Sequence, residues 1–455
     1  MKKPFYTFLF SILAFVAAFA QQPTCGQVFL DMPLLSMPSQ QQAYNTTGGF
    51  FPSYMNPGME NSLAYSTDLY TAGHWGFNQA FPQNKDKKYQ RLKRRLAIGV
   101  FDYLALQLPL GMGWVHEEYH RAVMTQYGVN SFNEVLLCQL GESTVSVSHI
   151  QDEELAMLCD RHHPDFVRLM SAGHEAAVDL SRTMQSNQFY YGQSLDNEML
   201  YWMNAIENFA YIWICATGKG DKTTTELNNN EPTIESRDFT GMDMNAWAHA
   251  LCYPDLPYAA RGIHPSGVGI NRYIMYDDIP ETGKAYLKLH LGLDVLNFIS
   301  PMMLGFTDFQ LAQTERGTYY GNFAFRHYLT AFGGDSSLDL YFKTPDCNLY
   351  STLHVYDNHE RVFGGLEAGL VDYPLLDDKL FLGGTVMSWI QPEKMSFFTR
   401  KSSFGGLVKG RVSYRWRFME PYAELGWKSK GWVAGNVNLG SGFFMKAGLR
   451  WQIGS

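Results

Sequence analysis

From about Gly317 to the C-terminus the chain changes character at every second residue. In "GLVKGRVSYRW", Val408, Gly410, Val412, Tyr414 and Trp416 alternate with Lys409, Arg411, Ser413 and Arg415. In "FMKAGLRWQI", Met445, Ala447, Leu449, Trp451 and Ile453 alternate with Lys446, Gly448, Arg450 and Gln452. Successive side chains of a strand point to opposite faces, so this period builds a sheet with one apolar, aromatic face and one charged face. A soluble sandwich turns the apolar face inward. A membrane barrel turns it to lipid and keeps the charges in its lumen.

Segments of roughly ten residues suit a tilted membrane crossing. About eight are present, near 319–331, 336–344, 347–357, 362–373, 379–391, 404–417, 419–429 and 440–453. Turns such as "GGDSS", "YDNHE" and "PLLDDK" separate most of them. Eight is an even number and makes the smallest common barrel. Aromatic residues, 15 % of the chain, fit its girdles, and the final amphipathic strand resembles the end of an outer-membrane barrel. Lys409, Arg411, Arg415, Lys446 and Arg450 are expected in the lumen, with Glu424 available to pair with them.

The N-terminus agrees with export. Lys2 and Lys3 precede an apolar run, Phe8–Ala18, and Ala18-Phe19-Ala20 forms a small-x-small cleavage signal. Residues 1–20 are therefore expected to be a signal peptide, with an uncleaved anchor as the alternative. Cys25 lacks the small apolar residues that precede a lipidated cysteine. Six cysteines without CxxC spacing make no disulfide scaffold, and pairings among them stay open. A net charge of −8 gives no footprint for nucleic acid.

Residues 21–87 read as an irregular segment and 88–316 as a helical domain. Helices are expected over 88–128, broken near Pro109, then over 165–184 behind Pro164, 196–218, and 281–306 with a break near Pro301. The polar run 221–238 reads as a mobile loop. Three of the helices are apolar, but Asp102 and Gln107, Asn204 and Glu207, or Lys288, His290 and Asp294 interrupt them. None offers 18 apolar residues in a row. Such helices suit a protein that must leave the inner membrane. An even strand count then leaves the helical domain on the periplasmic side.

The helical region contains "WVHEEYHRAV", residues 114–123. On a helix His116 and His120 face the same way, one turn apart, and two neutral imidazoles can reach one Zn2+ at ~2.0–2.1 Å. Glu117 is then the general base acting on the activated water. The bland alternative is a polar helix face carrying Glu117, Glu118 and Arg121 in surface ion pairs. The apolar lead-in "LALQLPLGMGW" argues for a buried cluster instead. A third ligand is sought in "SAGHEAAVDLSR", where Glu175 and Asp179 are again i and i+4. Small residues there (Ala172, Gly173, Ala176, Ala177) allow two helices to approach closely.

HExxH followed by ExxxD resembles the gluzincin metallopeptidases, most closely the group of CAAX-prenyl proteases and heat-shock membrane proteases. The resemblance covers residues 116–179. It implies that Glu175 is the third zinc ligand and that Asp179 orients a ligand histidine through its far nitrogen. His174 is the competing ligand, about 100° away around the helix. The long transmembrane helices usual around this motif are missing here, and Glu118 and Arg121 are more polar than the usual neighbours.

His249, His264 and Tyr276 are candidate donors to a tetrahedral oxyanion. His162 and His163 in "DRHHPD" read as the approach to a helix. No metzincin histidine, GxSxG, Walker loop or dinucleotide fingerprint occurs. The expected fold is α+β, a helical zincin-like domain followed by an antiparallel eight-stranded β-barrel over 317–455. The expected function is an outer-membrane zinc metallopeptidase acting on a peptide or protein substrate in the periplasm or at the membrane, its barrel in contact with outer-membrane lipid. The alternatives are a non-enzymatic barrel with a helical binding or plug domain, and a zinc hydrolase of some other bond.

Overall fold

A computed structural model describes residues 27–38, 56–82, 89–137, 146–193 and 195–453. Residues 1–20, expected to be a signal peptide, Cys25 and Cys138 lie outside them. Among the described residues Cys159, Cys215, Cys252 and Cys347 are free thiols.

The chain is α+β. Strand β1 (Val28–Met37) comes first and helix α1 (Met59–Ala80) follows. Both fall in the stretch expected to be irregular. Next come α2 (Gln90–Ala105) and α3 (Met112–Thr125), a two-residue hairpin of β2 (Phe132–Asn133) with β3 (Val147–Ser148), and α4 (Asp152–Arg161). The remaining helices are α5 (His163–Tyr191), α6 (Glu198–Ala216), α7 (Asp221–Asn230), α8 (Asp243–Cys252) and α9 (Glu281–Leu293). No helix among the described residues is long and apolar enough to cross a membrane.

The local signals explain most of these boundaries. The break near Pro109 separates α2 from α3. The turn between them is so tight that a Cβ on Gly111 would fall 1.7 Å from the Ala105 carbonyl oxygen. Pro164 stands in the first turn of α5, and Gly192 ends that helix in the left-handed region at φ 64°. The polar run expected to be a loop instead starts with α7. A Lys222–Glu226 pair at i and i+4, 3.7 Å apart, supports this helix, and Thr224 packs inward against its neighbours.

Strands β4 (Phe309–Thr314), β5 (Gly317–Leu329), β6 (Gly334–Lys343), β7 (Asn348–Asp357) and β8 (Val362–Leu375) continue through β9 (Leu380–Pro392), β10 (Ser402–Tyr414), β11 (Met419–Lys428) and β12 (Gly442–Ile453). Each of the eight expected segments is a strand, displaced by a few residues at most. The closed eight-stranded barrel is not what they build. They form an antiparallel sheet of ten strands in the order β1-β12-β11-β10-β9-β8-β7-β6-β5-β4, open between β1 and β4. The two added strands escaped the alternation because β4 is short and exposed throughout, while β1 sits 270 residues upstream of the sheet's other members. Side chains of α1 cover the free edge of β1. Asn61 and Tyr65 donate to the Pro33 carbonyl, and the Asp31 N–H donates to Asp68.

The alternation sorts the side chains of the sheet onto two faces. Its apolar side chains point away from the protein and are exposed, among them Leu353, Leu366, Val386, Val408 and Leu425. Aromatic residues mark both ends of the strands. Phe404, Trp427 and Phe443 lie at one end, the first and last about 80 % exposed, and Tyr414, Trp416 and Phe418 at the other. Ten residues of strand separate Phe404 from Tyr414, ~33 Å of backbone.

Side chains of α1 and α5 meet the charged face. Arg182 of α5 reaches Glu367 at 3.2 Å and Asp339 at 3.4 Å, and Tyr191 donates to Asp372. Lys409 and Glu424 pair at 3.5 Å, on a sheet that encloses no lumen. Arg450 pairs with Asp372 at 2.7 Å and with Glu420, which also takes Arg415 at 3.1 Å. Arg411, Lys446 and Arg450 border a cavity of about 310 Å³ shared with α1 and α5.

Candidate metal centre

The HExxH segment lies on α3, as its spacing requires. The helix is buried along almost its whole length. Its neighbour is α5, which approaches closely because of Gly173. A Cβ there would fall 2.2 Å from His116 Nε2. The small-residue signal in "SAGHEAA" therefore meant what it suggested about helix spacing.

The surface ion pairs of the bland reading are absent. Glu118 and Arg121 form a buried pair at 2.6 Å, and Asn133 donates to the same Glu118 oxygen. Arg121 also donates to Ser131 and Asn56. This network anchors α3 to the segments around it and leaves the opposite side of the helix free for His116, Glu117 and His120.

The third acidic group beside the histidines is Asp243, not Glu175. Asp243 is the first residue of α8. His116 Nε2 lies 3.2 Å and His120 Nε2 3.4 Å from the same oxygen, Asp243 Oδ2. Among the described residues these three form the group able to hold a metal ion, with their ligand atoms within 4.8 Å of one another. Two imidazoles and a carboxylate are a common donor set for zinc. Bonds of ~2.0–2.1 Å at a tetrahedral angle separate ligand atoms by ~3.3 Å, close to the two His–Asp distances.

His120 is fully buried, and its Nδ1 donates to the Leu169 carbonyl at 2.5 Å. That bond fixes the tautomer with the lone pair on Nε2, which has no hydrogen-bond partner. A buried nitrogen left this way is costly unless something completes it, and a cation would. Burial pushes the Asp243 carboxyl up, yet His120 and His116 outweigh it and hold the group down at about 2. Glu117 is buried and makes no hydrogen bond among the described residues. Burial first, then the carboxylates of Asp243 and Asp238, lift it well above the usual carboxylate range.

Glu175 serves another purpose. It pairs with Arg168 at 2.6 Å and accepts the Gly435 N–H at 2.7 Å. Arg168 also donates to the carbonyls of Asn436 and Val433. Together they fasten the β11–β12 loop to α5. Asp179 touches neither histidine of the group. It accepts from the hydroxyls of Tyr119 and Tyr328, and burial and Glu175 raise it to about 7. The part expected of it, orienting a ligand histidine, falls to the Leu169 carbonyl. His174 pairs with Asp294 at 2.9 Å.

The three oxyanion candidates also lie elsewhere. His249 packs on Tyr253, with burial and Arg261 pushing it down to about 4. His264 bonds Ser266 in a turn. Tyr276 lies beside Lys284, whose ammonium is 4.9 Å from the ring centre. His163 opens α5 and reaches the Ala250 carbonyl, and His162 precedes it, as the reading of that segment expected.

A cleft of about 420 Å³ leads to His116. Its walls include Leu106, Met112, Met203, Ile206, Ile214 and Met242. Tyr211 stands in it and accepts the Asp243 N–H at 3.0 Å. Burial lifts its phenol well above the usual range, so it remains a donor. Asp243 and Tyr211 were the residues that sequence reasoning missed. "TGMDMNAW" offers an aspartate at a helix start, which reads equally well as an ordinary end of a helix.

Comparison with known protein families, curated proteins and solved structures finds no match to this chain.

Proposed function

We propose that the chain is a zinc metallopeptidase carried on an outer-membrane sheet. The observation that carries this reading is the pair of His–Asp separations, 3.2 and 3.4 Å, which match the edge of a tetrahedral zinc site on an HExxH helix. His116, His120 and Asp243 hold the ion. When bound, zinc acts as a Lewis acid and lowers the pKa of a coordinated water to ~7. Glu117 accepts the proton of the attacking water and returns it to the leaving amine. Its elevated affinity for protons suits it to the second task. Tyr211, with its proton free toward the cleft, is the donor to the developing oxyanion in place of the three candidates named above.

The outer-membrane setting is supported by the exposed apolar face and its two aromatic ends. A strand length of ~33 Å tilted by ~35–45° spans about 25 Å, the height of an outer-membrane apolar band. The side chains of α1 on β1 remove bare peptide groups that lipid cannot satisfy at that edge. The helical domain then faces the periplasm, and its substrate is a peptide or protein there or at the membrane surface.

Metal analysis and turnover test the reading together. Purified chain carries about one zinc, and Glu117→Gln keeps the zinc while losing peptide hydrolysis. A zinc-free, inactive wild type that takes up no added zinc overturns it. The contacts of α5 with the charged face favour a second reading, a non-catalytic plug. That reading requires Glu117→Gln to be silent.

A further inference from the structure

The cleft that ends at His116 has walls of two kinds. The apolar kind is aliphatic or methionine, with Met203, Ile206, Ala210 and Ile214 on α6 joined by Met112 of α3, Leu227 of α7 and Met242. Its volume of about 420 Å³ falls in the range of small-ligand sites, ~300–1,000 Å³. On α6, Met203, Glu207, Ala210, Tyr211 and Ile214 all line it, the spacing of one helix face. Glu207 is the exception in this apolar row.

Glu207 forms no hydrogen bond or ion pair among the described residues. The cleft's other carboxylate, Asp238, accepts backbone N–H groups of Val147 and Gly241. Among the described residues no lysine or arginine lines the cleft. Glu207 is itself solvent-exposed on this face of α6. An apolar slot continuous with the metal group thus presents one uncompensated carboxylate.

We propose that this cleft is the substrate channel and that it selects apolar peptide segments carrying a lysine or arginine, whose cation Glu207 holds. This rests on the metallopeptidase reading and adds to it the class of peptide. An apolar side chain fits against Met203, Ile206 and Met242, and the neighbouring cation pairs with the Glu207 carboxylate. A peptide with glutamate at that position meets repulsion from Glu207.

The test uses fluorescent heptapeptides with leucine and phenylalanine flanking a central lysine, norleucine or glutamate. Binding is read by anisotropy on the full-length, zinc-loaded Glu117→Gln chain, which does not turn them over. The lysine peptide binds about tenfold tighter than the norleucine peptide, as one partly solvated charge-assisted hydrogen bond provides, and the glutamate peptide binds weakest. Adding Glu207→Gln removes the lysine preference. Adding Ala210→Trp, which fills the slot from α6, weakens all three peptides while zinc content holds. Equal affinities, or a lysine preference that survives Glu207→Gln, overturn the assignment. The two readings fail separately. A chain that binds no zinc sinks the metallopeptidase but still reports its peptide preference by anisotropy, whereas Glu117-dependent turnover without a charge preference sinks the cleft assignment alone.

Discussion

Replacing Asp243 by alanine and Glu175 by glutamine separates the two ligand sets that this chain suggests. Asp243 lies 3.2 and 3.4 Å from the two histidine nitrogens, whereas Glu175 is spent on Arg168 and the Gly435 N–H. A ligand that binds the folded state alone, at a thousandfold excess over its dissociation constant, stabilises it by about 4 kcal/mol. With ~2.1 cal/mol/K of unfolding entropy per residue, a chain of 455 residues gains about 4 °C in Tm. Differential scanning calorimetry with and without zinc reads this shift directly. Wild type rises by about 4 °C and Asp243→Ala by none. Glu175→Gln starts from a lower Tm, since it leaves the buried Arg168 guanidinium short of its counter-charge at a cost of about 3–5 kcal/mol, but keeps the zinc shift. A zinc shift that survives Asp243→Ala and vanishes in Glu175→Gln refutes the reasoning and restores the ligand set of the gluzincin resemblance.

Gly173→Ala puts a methyl 2.2 Å from His116 Nε2, so it costs about 1–3 kcal/mol by denaturant titration and displaces His116 enough to lower zinc occupancy. His249 is buried with its proton affinity pushed down to about 4, so the unfolded chain binds a proton near pH 6.5 that the folded chain refuses. Stability from this residue is complete above pH 6.5 and is lost as pH falls through about 4. The loss approaches ~3 kcal/mol, and His249→Gln flattens that part of the pH profile in urea unfolding. Val408→Arg, on the exposed apolar face, costs about 2–4 kcal/mol when folding is followed into lipid vesicles, if that face meets the bilayer core. An unchanged folding free energy in vesicles counts against the membrane placement.

How much of this was legible depended on whether a signal was local. Alternation over Leu407–Tyr414 is a local property, and it located β10 and the outward face of Val408 and Val412 together. Pro109 and Pro164 act on their own backbone, so the breaks they mark were placed closely, whereas α5 runs past its expected end at 184 to Tyr191. Closure of the sheet is not local. It depends on whether β1 and β4 meet, and no residue in either strand encodes the distance between them. The metal group divides in the same way. His116, Glu117 and His120 share one helix turn and were readable as a unit. Asp243 joins them across 127 residues of chain, so only the packing of α8 against α5 and α6 identifies it. Glu175 looked right because its helix is right. α5 does pack on α3, but Glu175 points toward the β11–β12 loop.

That misassignment carries its own lesson about how the sheet and the metal group are joined. Tyr119 sits on α3 between the HExxH glutamate and the second histidine, and its hydroxyl donates to Asp179 of α5. The other Asp179 oxygen takes the Tyr328 hydroxyl of β5. One helical turn before Asp179, Glu175 and Arg168 hold the loop between β11 and β12, and Gln126, just past the end of α3, donates to Val437 of that loop. The ExxxD pair thus links the histidine helix to two distant parts of the sheet. Removing Asp179 leaves two buried hydroxyls without their acceptor, at about 1–3 kcal/mol each, without touching a ligand atom. Asp179→Ala should therefore keep zinc when folded yet loosen α3 and β5 together, with faster amide exchange on both sides of the junction. Exchange that changes on α3 alone means that the sheet supports the site through other contacts.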